Sequence, residues 1–195
     1  MLLGIDTTLP NLSLALADKT KVLVKYQVQT PLQGDYLVPI LRDFLDQNAI
    51  KPTDLTATVC TTGPGSFTGV RIGLACARAM GLALDIPVHG VSTFEALAYG
   101  VSLPITVLID TLRGDYYAQK MTPNHTEIPF IFDNEDGALT TSVTGFLPPD
   151  QQTYFPKYIP PKFLPAEAAC FIALEKPELL TSPTPLYVRE ADVTV

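Results

Sequence analysis

The sequence lacks the residue patterns of metal centres, disulfide frameworks and nucleic-acid-binding surfaces. Its 195 residues include two histidines, without an H-x-x-x-H or H-E-x-x-H spacing, so nothing has the spacing of a histidine metal site. The three cysteines show no C-x-x-C spacing and lie among apolar neighbours, which favours buried, reduced thiols. The 13 Lys and Arg are scattered under a net charge of −7, which disfavours unaided binding to a phosphate backbone.

The N-terminus also lacks the pattern of an export signal. In MLLGIDTTLP no positive charge precedes the apolar residues, and Asp6 follows at once, whereas a secretory signal has a basic start and a longer apolar run. No apolar run approaches the roughly 20 residues that a helix needs to span a bilayer. Together with the reduced thiols, these features predict a cytoplasmic protein with no membrane partner.

What the chain does have is an apolar composition and clear periodicity. Hydrophobic residues make up 47% and charged residues 17%, which is enough for a core without disulfides or metals. Alternating and continuous apolar runs predict strands at 2–5, 11–18, 22–28, 57–62 and 86–91. Helical spacing predicts helices at 35–48 and 67–84, with Pro39 early enough in the first helix to kink it without ending it.

A unit of strand, turn and strand occurs twice. LLGIDTTLPNLSLALAD near the start and VLIDTLRGDYYAQKMT from residue 107 both contain an apolar strand ending in Ile-Asp-Thr, a turn and an alternating strand. Such a unit at the start of each half is typical of an internally duplicated fold. We therefore predict an N-terminal lobe at 1–102 and a smaller, proline-rich lobe at 103–195, in which SVTGFL is a strand and Pro165 begins a helix.

The stretch TTGPGSFTGVRIGLACARAMGLAL, at 61–84, does not fit three familiar glycine motifs. A P-loop needs a lysine, and none occurs between Lys51 and Lys120. A dinucleotide fingerprint needs G-x-G-x-x-G, whereas these glycines give G-x-G-x-x-x-G. A nucleophile elbow needs glycine two residues before and after Ser66, where Pro64 and Thr68 stand.

Small residues form rows along the helix that follows this loop. One row repeats every four residues, at Gly69, Gly73, Ala77 and Gly81, and a second row holds alanines at 75, 79 and 83. Rows of this kind let another helix or sheet approach closely. We expect the first row to meet a neighbouring subunit; a central core helix without a partner is the alternative that this periodicity leaves open.

Two carboxylates stand at the ends of apolar strands. Asp6 and Asp110 each precede a threonine, and Asp6, Thr7, Thr8 and Asp110 could face a magnesium-bound nucleotide in a cleft between the lobes. The alternative is that each Asp-Thr pair hydrogen-bonds local amides and holds its turn. We favour the second interpretation slightly, because no glycine follows either pair to let a phosphate approach the backbone.

The segment GPGSFTGVRIGLACARAMGLALDIPVHGVSTFEALA, with GIDTT and SLALAD before it and IDTLRGDYYA and PLYVRE after it, resembles the TsaB/YeaZ family. The likeness is dense over 1–118 and thin afterwards. It implies an α/β fold of the actin, sugar-kinase and Hsp70 type, with two duplicated lobes and a reduced second lobe. It also implies a non-catalytic subunit that supports a TsaD-like transferase in threonylcarbamoyladenosine modification of tRNA next to the anticodon.

The resemblance implies a protein-protein role carried by the first two helices. Together with the row of small residues, it places the partner surface at Leu37, Leu41, Phe44, Ser66, Phe67, Gly69, Arg71, Gly73, Ala77, Arg78 and Gly81. The expected partners are a TsaD-like subunit, a TsaE-like ATPase and, for the protein alone, a second copy; tRNA is reached only through the complex. No metal or cofactor of its own is expected, and ATP or ADP with magnesium is assigned to the interface of the complex.

The chain also departs from the family pattern. Gly34 and Asp35 stand where members commonly have His-Ser, and the first helix contains no histidine of the kind that TsaD uses for metal binding. Two other functions stay open. One is a nucleotide-dependent phosphotransferase that uses Asp6 and Asp110, and the other is a peptidase, which the older label of glycoprotease suggests and for which His89 and His125 are the available bases.

Overall fold

The first half of the chain forms a five-stranded mixed sheet. The structure is a computed structural model that describes residues 1–29, 33–133 and 139–189. Strands β1 (Leu2–Asp6), β2 (Asn11–Ala17) and β3 (Val22–Gln29) form an antiparallel meander, and β4 (Ala57–Thr61) and β5 (Val88–Val91) join β1 in parallel. The strand order is β3-β2-β1-β4-β5, so β1 lies at the centre and is buried on both faces.

Helices cover both faces of this sheet. On one face lie α1 (Gln33–Gln47), which contacts β2, and α2 (Phe67–Leu84), which contacts chiefly β4; their buried side chains share one core cluster with Leu12, Leu14 and Leu16 of β2. On the other face lies α5 (Pro165–Glu175), which contacts β1, β2 and β4 and is joined by the short α3 (Thr93–Ala98). A Cβ on Gly4 would lie 2.4 Å from the carbonyl oxygen of Ala166, so only glycine lets α5 approach β1 this closely.

The second sheet repeats the centre of the first. Strands β6 (Ile105–Asp110) and β7 (Tyr116–Thr122) form an antiparallel pair, β10 (Ser142–Phe146) joins β6 in parallel, and β8 (His125–Thr126) and β9 (Phe130–Phe132) pair with β7. The short α4 (Pro149–Gln152) follows β10. The set β6-β7-β10 therefore matches β1-β2-β4 in order and direction, which is the arrangement expected of an internal duplication.

The predicted elements agree well with this architecture. Helix α2 has the predicted bounds, α1 begins two residues earlier than expected with Pro39 inside it, and SVTGFL and Pro165 begin a strand and a helix as predicted. One expectation needs correction: α2, with 18 residues and a mean hydropathy of 1.3, is long and apolar enough to cross a membrane by length and composition. Core helices of soluble proteins pass the same test, and α2 packs on β4 along one side.

Candidate partner-binding surface and interlobe cleft

The glycine loop is a packing element that sets the start of α2. Ser66 caps the helix, because its Oγ accepts a hydrogen bond from the amide of Gly69 at 3.2 Å, and its own amide donates to the carbonyl of Thr8 at 2.7 Å. Gly65 has φ +159° and a Cβ there would lie 2.2 Å from the Thr8 carbonyl oxygen. The loop therefore approaches the β1–β2 turn at a distance that a side chain would prevent.

The row of small residues at every fourth position faces the chain's own sheet. A Cβ on Gly69 would lie 1.9 Å from the carbonyl oxygen of Thr7, and one on Gly73 would lie 2.5 Å from Thr7 Oγ1. A Cβ on Gly81 would meet Val88 at 2.2 Å, and Ala77 is fully buried. The expectation that this row meets another subunit is therefore corrected: the small side chains let α2 pack closely on the β1–β2 turn and on β5.

The second row of small residues is the one that faces outward. Ala75, Ala79 and Ala83 are exposed, and Leu82 beside them has 87% of its surface exposed. We call these four residues the alanine face. The described part of the chain does not cover Leu82. Unlike the inward row, the alanine face is therefore free to contact another molecule.

The residues predicted at the partner surface on α1 are also turned inward. Leu37, Leu41 and Phe44 lie in the core cluster beneath the helix, which corrects their assignment as contact residues. The apolar side chains that α1 exposes are Tyr36 and Val38. Sequence periodicity could have predicted this inward orientation, since Leu37, Leu41 and Phe44 form the apolar stripe that an amphipathic helix turns toward its own core.

Arg71 and Arg78 lie on the exposed side of α2, as predicted, and both are contacted by the C-terminal segment. The guanidinium carbon of Arg71 stands 3.7 Å from the centre of the Phe67 ring, and its Nε donates to the hydroxyl of Tyr187 at 3.2 Å. The Phe67 and Tyr187 rings are 5.0 Å apart. Arg78 donates to the carbonyl of Pro183. Sequence patterns gave no indication of these contacts.

A cleft of about 1110 Å³ separates the two lobes. Its walls come from the β1–β2 turn, the glycine loop and the start of α2 on one side, and from residues 109–113 with Tyr117 and Phe146 on the other. Thr8 and Asp110 line the cleft, whereas Asp6 does not. Gly34 also lines it, and a Cβ at this glycine would lie 3.3 Å from Ile72 Cδ1, at the end of a flexible side chain.

The two strand-end carboxylates do not converge. Asp6 is fully buried, and its Oδ1 accepts from the Thr8 amide at 3.1 Å, the Thr8 hydroxyl at 2.6 Å and the Thr61 hydroxyl at 2.6 Å. Asp110 Oδ1 accepts from the Leu112 amide at 2.7 Å, and its Oδ2 accepts from Gln151 at 3.0 Å. Both acids hold turns, as the alternative interpretation predicted, so they do not fit a shared magnesium ion.

Burial raises the pKa of the Asp6 carboxyl, although the hydrogen bonds from Thr61 and Thr8 oppose that shift. The Thr7 hydroxyl donates to the carbonyl of Gly69 at 2.7 Å, so Thr7 fastens α2 to β1 and does not face the cleft. Within residues 1–29, 33–133 and 139–189, no group of three His, Cys, Asp or Glu side chains could hold a metal ion.

The two histidines that a peptidase would use lie in different sheets. His89 lies in β5 of the first sheet and His125 in β8 of the second. Burial raises the pKa of the Cys60 thiol to about 12, so this thiol stays protonated at neutral pH and is a poor nucleophile. The structure brings no recognisable set of nucleophile and base together around these residues.

Comparisons with known proteins agree with this geometry. Residues 34–135, just over half of the chain, match the family model described as TsaD: tRNA N6-adenosine threonylcarbamoyltransferase. The chain is 31% identical over 121 residues to the Escherichia coli (strain K12) tRNA threonylcarbamoyladenosine biosynthesis protein TsaB, and 36% identical over 125 residues to the protein of that name from Bacillus subtilis (strain 168). Each match covers 60% of this chain and 52% of the relative, so the chain spans about half the length of these curated relatives.

The fold has a solved counterpart. YeaZ from Pseudomonas aeruginosa superposes with a TM-score of 0.73, at 23% identity, over 95% of this chain and 98% of that one. With the duplicated sheets and the interlobe cleft, this likeness defines a two-lobed α/β protein with the fold of YeaZ. Within that class, the chain belongs to the TsaB/YeaZ family.

Proposed function

We propose that the chain is a non-catalytic partner subunit that activates a TsaD-like transferase in threonylcarbamoyladenosine modification of tRNA. The observation that carries the proposal is the alanine face: α2 exposes Ala75, Ala79, Leu82 and Ala83. The names of the relatives from E. coli and B. subtilis supply the pathway.

The alanine face suits close packing against a helix. Small side chains allow two helix axes to approach, and burying a fully exposed leucine contributes about 1.5–3 kcal/mol. Leu82 therefore supplies binding energy and the alanines supply the space. In the absence of the TsaD-like subunit, a second copy covers the same face, so the two partners compete for it.

Other members of the assembly follow from this role. A TsaE-like ATPase joins the complex, tRNA is bound through the complex, and the chain works in the cytoplasm. ATP or ADP with magnesium binds at the interface of the complex, because Asp6 is fully buried and does not line the cleft, and both oxygens of Asp110 accept hydrogen bonds within the chain. These positions of Asp6 and Asp110 also disfavour the phosphotransferase alternative. Binding of millimolar Mg-ATP to the chain alone, detected by calorimetry, would support that alternative instead.

The test is a charge placed on the alanine face. Ala79→Arg puts a long cation on the exposed side of α2, whereas Gln47→Arg puts the same side chain at the exposed end of α1. Gly73→Arg is unsuitable, because its side chain would collide with Thr7 inside the fold. Each purified variant is mixed with the TsaD-like subunit of the same organism and examined by size exclusion and calorimetry.

We expect wild type and Gln47→Arg to co-elute with the TsaD-like subunit, and Ala79→Arg to elute apart from it with an unchanged melting temperature. Separate peaks for the wild-type chain, at protein concentrations of tens of micromolar and with Mg-ATP present, would overturn the proposed function. Retained binding by Ala79→Arg would place the interface elsewhere.

A further inference from the structure

The C-terminal segment 181–189 crosses the molecule from the first lobe to the second. It begins beside β5, where Thr181 and Gly90 exchange two backbone hydrogen bonds of 2.8 and 2.9 Å. It then passes the glycine loop, where the Leu186 amide donates to the Thr62 carbonyl at 2.8 Å. It ends with Arg189 paired to Asp115, in the turn between β6 and β7.

Between these ends the segment lies against the cationic edge of α2. Pro183 accepts from Arg78 through its carbonyl, and Tyr187 contacts both Phe67 and Arg71. Val188 packs into the cluster that also contains side chains of α3, β6 and β7. The segment therefore touches the helix that carries the alanine face and the turn that closes one wall of the cleft.

The contacts on α2 are of a kind that another molecule can replace. Both arginines are exposed, and their partners on the segment are a neutral hydroxyl and a neutral carbonyl. A carboxylate adds charge attraction to these hydrogen bonds and can accept two parallel N–H bonds from one guanidinium, which a single hydroxyl or carbonyl oxygen does not do. A subunit that presents carboxylates to this edge of α2 competes directly with Tyr187 and Pro183.

The far end of the segment lies at the cleft. Asp115 accepts from Thr111, and the Thr111 amide donates to the Asp115 carbonyl at 3.1 Å, which closes the turn. Residues 110–113 of the same turn line the cleft, as does Phe67 at the start of α2. Releasing the segment thus removes the ion pair on this turn and the ring contact on Phe67 together.

We propose that segment 181–189 is a strap that couples partner binding on α2 to the interlobe cleft. Carboxylates of the bound subunit replace Tyr187 and Pro183 as the hydrogen-bond acceptors of Arg71 and Arg78. The strap then detaches from the β6–β7 turn, which forms one wall of the cleft. This coupling rests on the proposed function for its partner, whereas the link between the two arginines and the turn is a property of the free chain.

The test is hydrogen exchange measured by mass spectrometry, first on the free chain. Arg71→Gln with Arg78→Gln removes both arginine contacts between the strap and α2, and leaves the Tyr187–Phe67 ring contact and the Arg189–Asp115 pair in place. Lys157→Gln is a control that removes an exposed cation from the second lobe. We expect amides in 181–189 and in 111–115 to exchange about tenfold faster in the double variant, because the lost hydrogen bonds ease local opening. Amides of β1 and β2 and the control variant should match wild type.

Faster exchange in the strap with an unchanged 111–115 turn would overturn the coupling, and so would a double variant that exchanges like wild type. The second arm adds the TsaD-like subunit to the wild-type chain. Faster exchange of both segments on binding supports the strap, whereas binding with both segments still protected overturns it and leaves the proposed function intact. An absence of binding in this arm counts against the proposed function, and the first arm still decides the coupling within the free chain.

Discussion

Gly69→Ala tests the orientation of α2 most directly. The added methyl carbon would lie 1.9 Å from the carbonyl oxygen of Thr7 and 3.2 Å from Gln33 Oε1. Real Cβ contacts are essentially never below 3.0 Å, so α2 must move away from β1 by about 1 Å. That movement also stretches the hydrogen bond from Thr7 Oγ1 to the Gly69 carbonyl, now 2.7 Å long.

The expected loss of stability combines three contributions. Overpacking a closely packed contact costs about 1–3 kcal/mol, and losing one hydrogen bond costs about 1 kcal/mol. Replacing glycine by alanine in a helix returns about 1 kcal/mol. We therefore expect Gly69→Ala to lower the free energy of unfolding by about 2 kcal/mol, which for a chain of this size lowers the melting temperature by about 4–8 °C.

The measurement is urea denaturation followed by circular dichroism, with Gly34→Ala as the matched control. Gly34 also lies in a helix, but its added methyl carbon would meet only the end of the Ile72 side chain at 3.3 Å, which moves easily. We expect the control to stay within about 0.5 kcal/mol of wild type. If Gly69→Ala were as stable as the control, the glycine row would not face β1, and the assignment of the alanine face as the outward side would fail with it.

Two further predictions concern buried carboxylates. Burial raises the pKa of Asp6 above its value in the unfolded chain, so its stabilising contribution is complete at pH below about 4 and is lost as the pH rises through the folded-state value. Asp6→Asn should therefore gain stability relative to wild type between pH 4 and 7 in parallel urea titrations; a difference that stays constant with pH would contradict the raised pKa. Lys25→Met removes the cation that binds both oxygens of Glu167 at 2.9 Å. Because Lys25 is 53% exposed and Glu167 only 8%, we expect a loss of about 1 kcal/mol that shrinks in 1 M salt, and an equal loss at both salt concentrations would refute an electrostatic origin.

Local sequence patterns determined the elements but not their orientation. The bounds of α2 follow from residues within it and next to it, since Ser66 caps one end and Asp85 ends the other in a left-handed conformation. Which small row faces inward depends on Thr7 and Val88, which meet Gly69, Gly73 and Gly81 only in the folded chain. Periodicity shows which residues lie on the same side of a helix. When two sides both carry small residues, it does not show which side packs against the sheet.

The strap shows the same limit over a longer distance. Its contacts with Arg71 and Arg78 join residues that are 116 and 105 positions apart, and no local rule relates an extended tail to a helix so far upstream. The place of α5 is a similar case. Pro165 predicted the start of this helix, but the packing of α5 on the first sheet depends on Gly4 in β1.

The cleft and the outer surface of α2 point to the same division of roles. Beside the cleft, the acid that ends β1 is fully buried and accepts hydrogen bonds from the Thr8 and Thr61 hydroxyls, and Thr93 donates to the Thr8 hydroxyl at 3.1 Å. That network stabilises the turn and holds the Asp6 carboxyl away from the cleft. On α2, by contrast, an exposed leucine stands among alanines where a charged side chain would be tolerated without cost to the fold. The polar groups beside the cleft serve the packing of the chain, whereas the exposed apolar groups of α2 are not needed for that packing. This combination is expected of a subunit that acts by binding another protein.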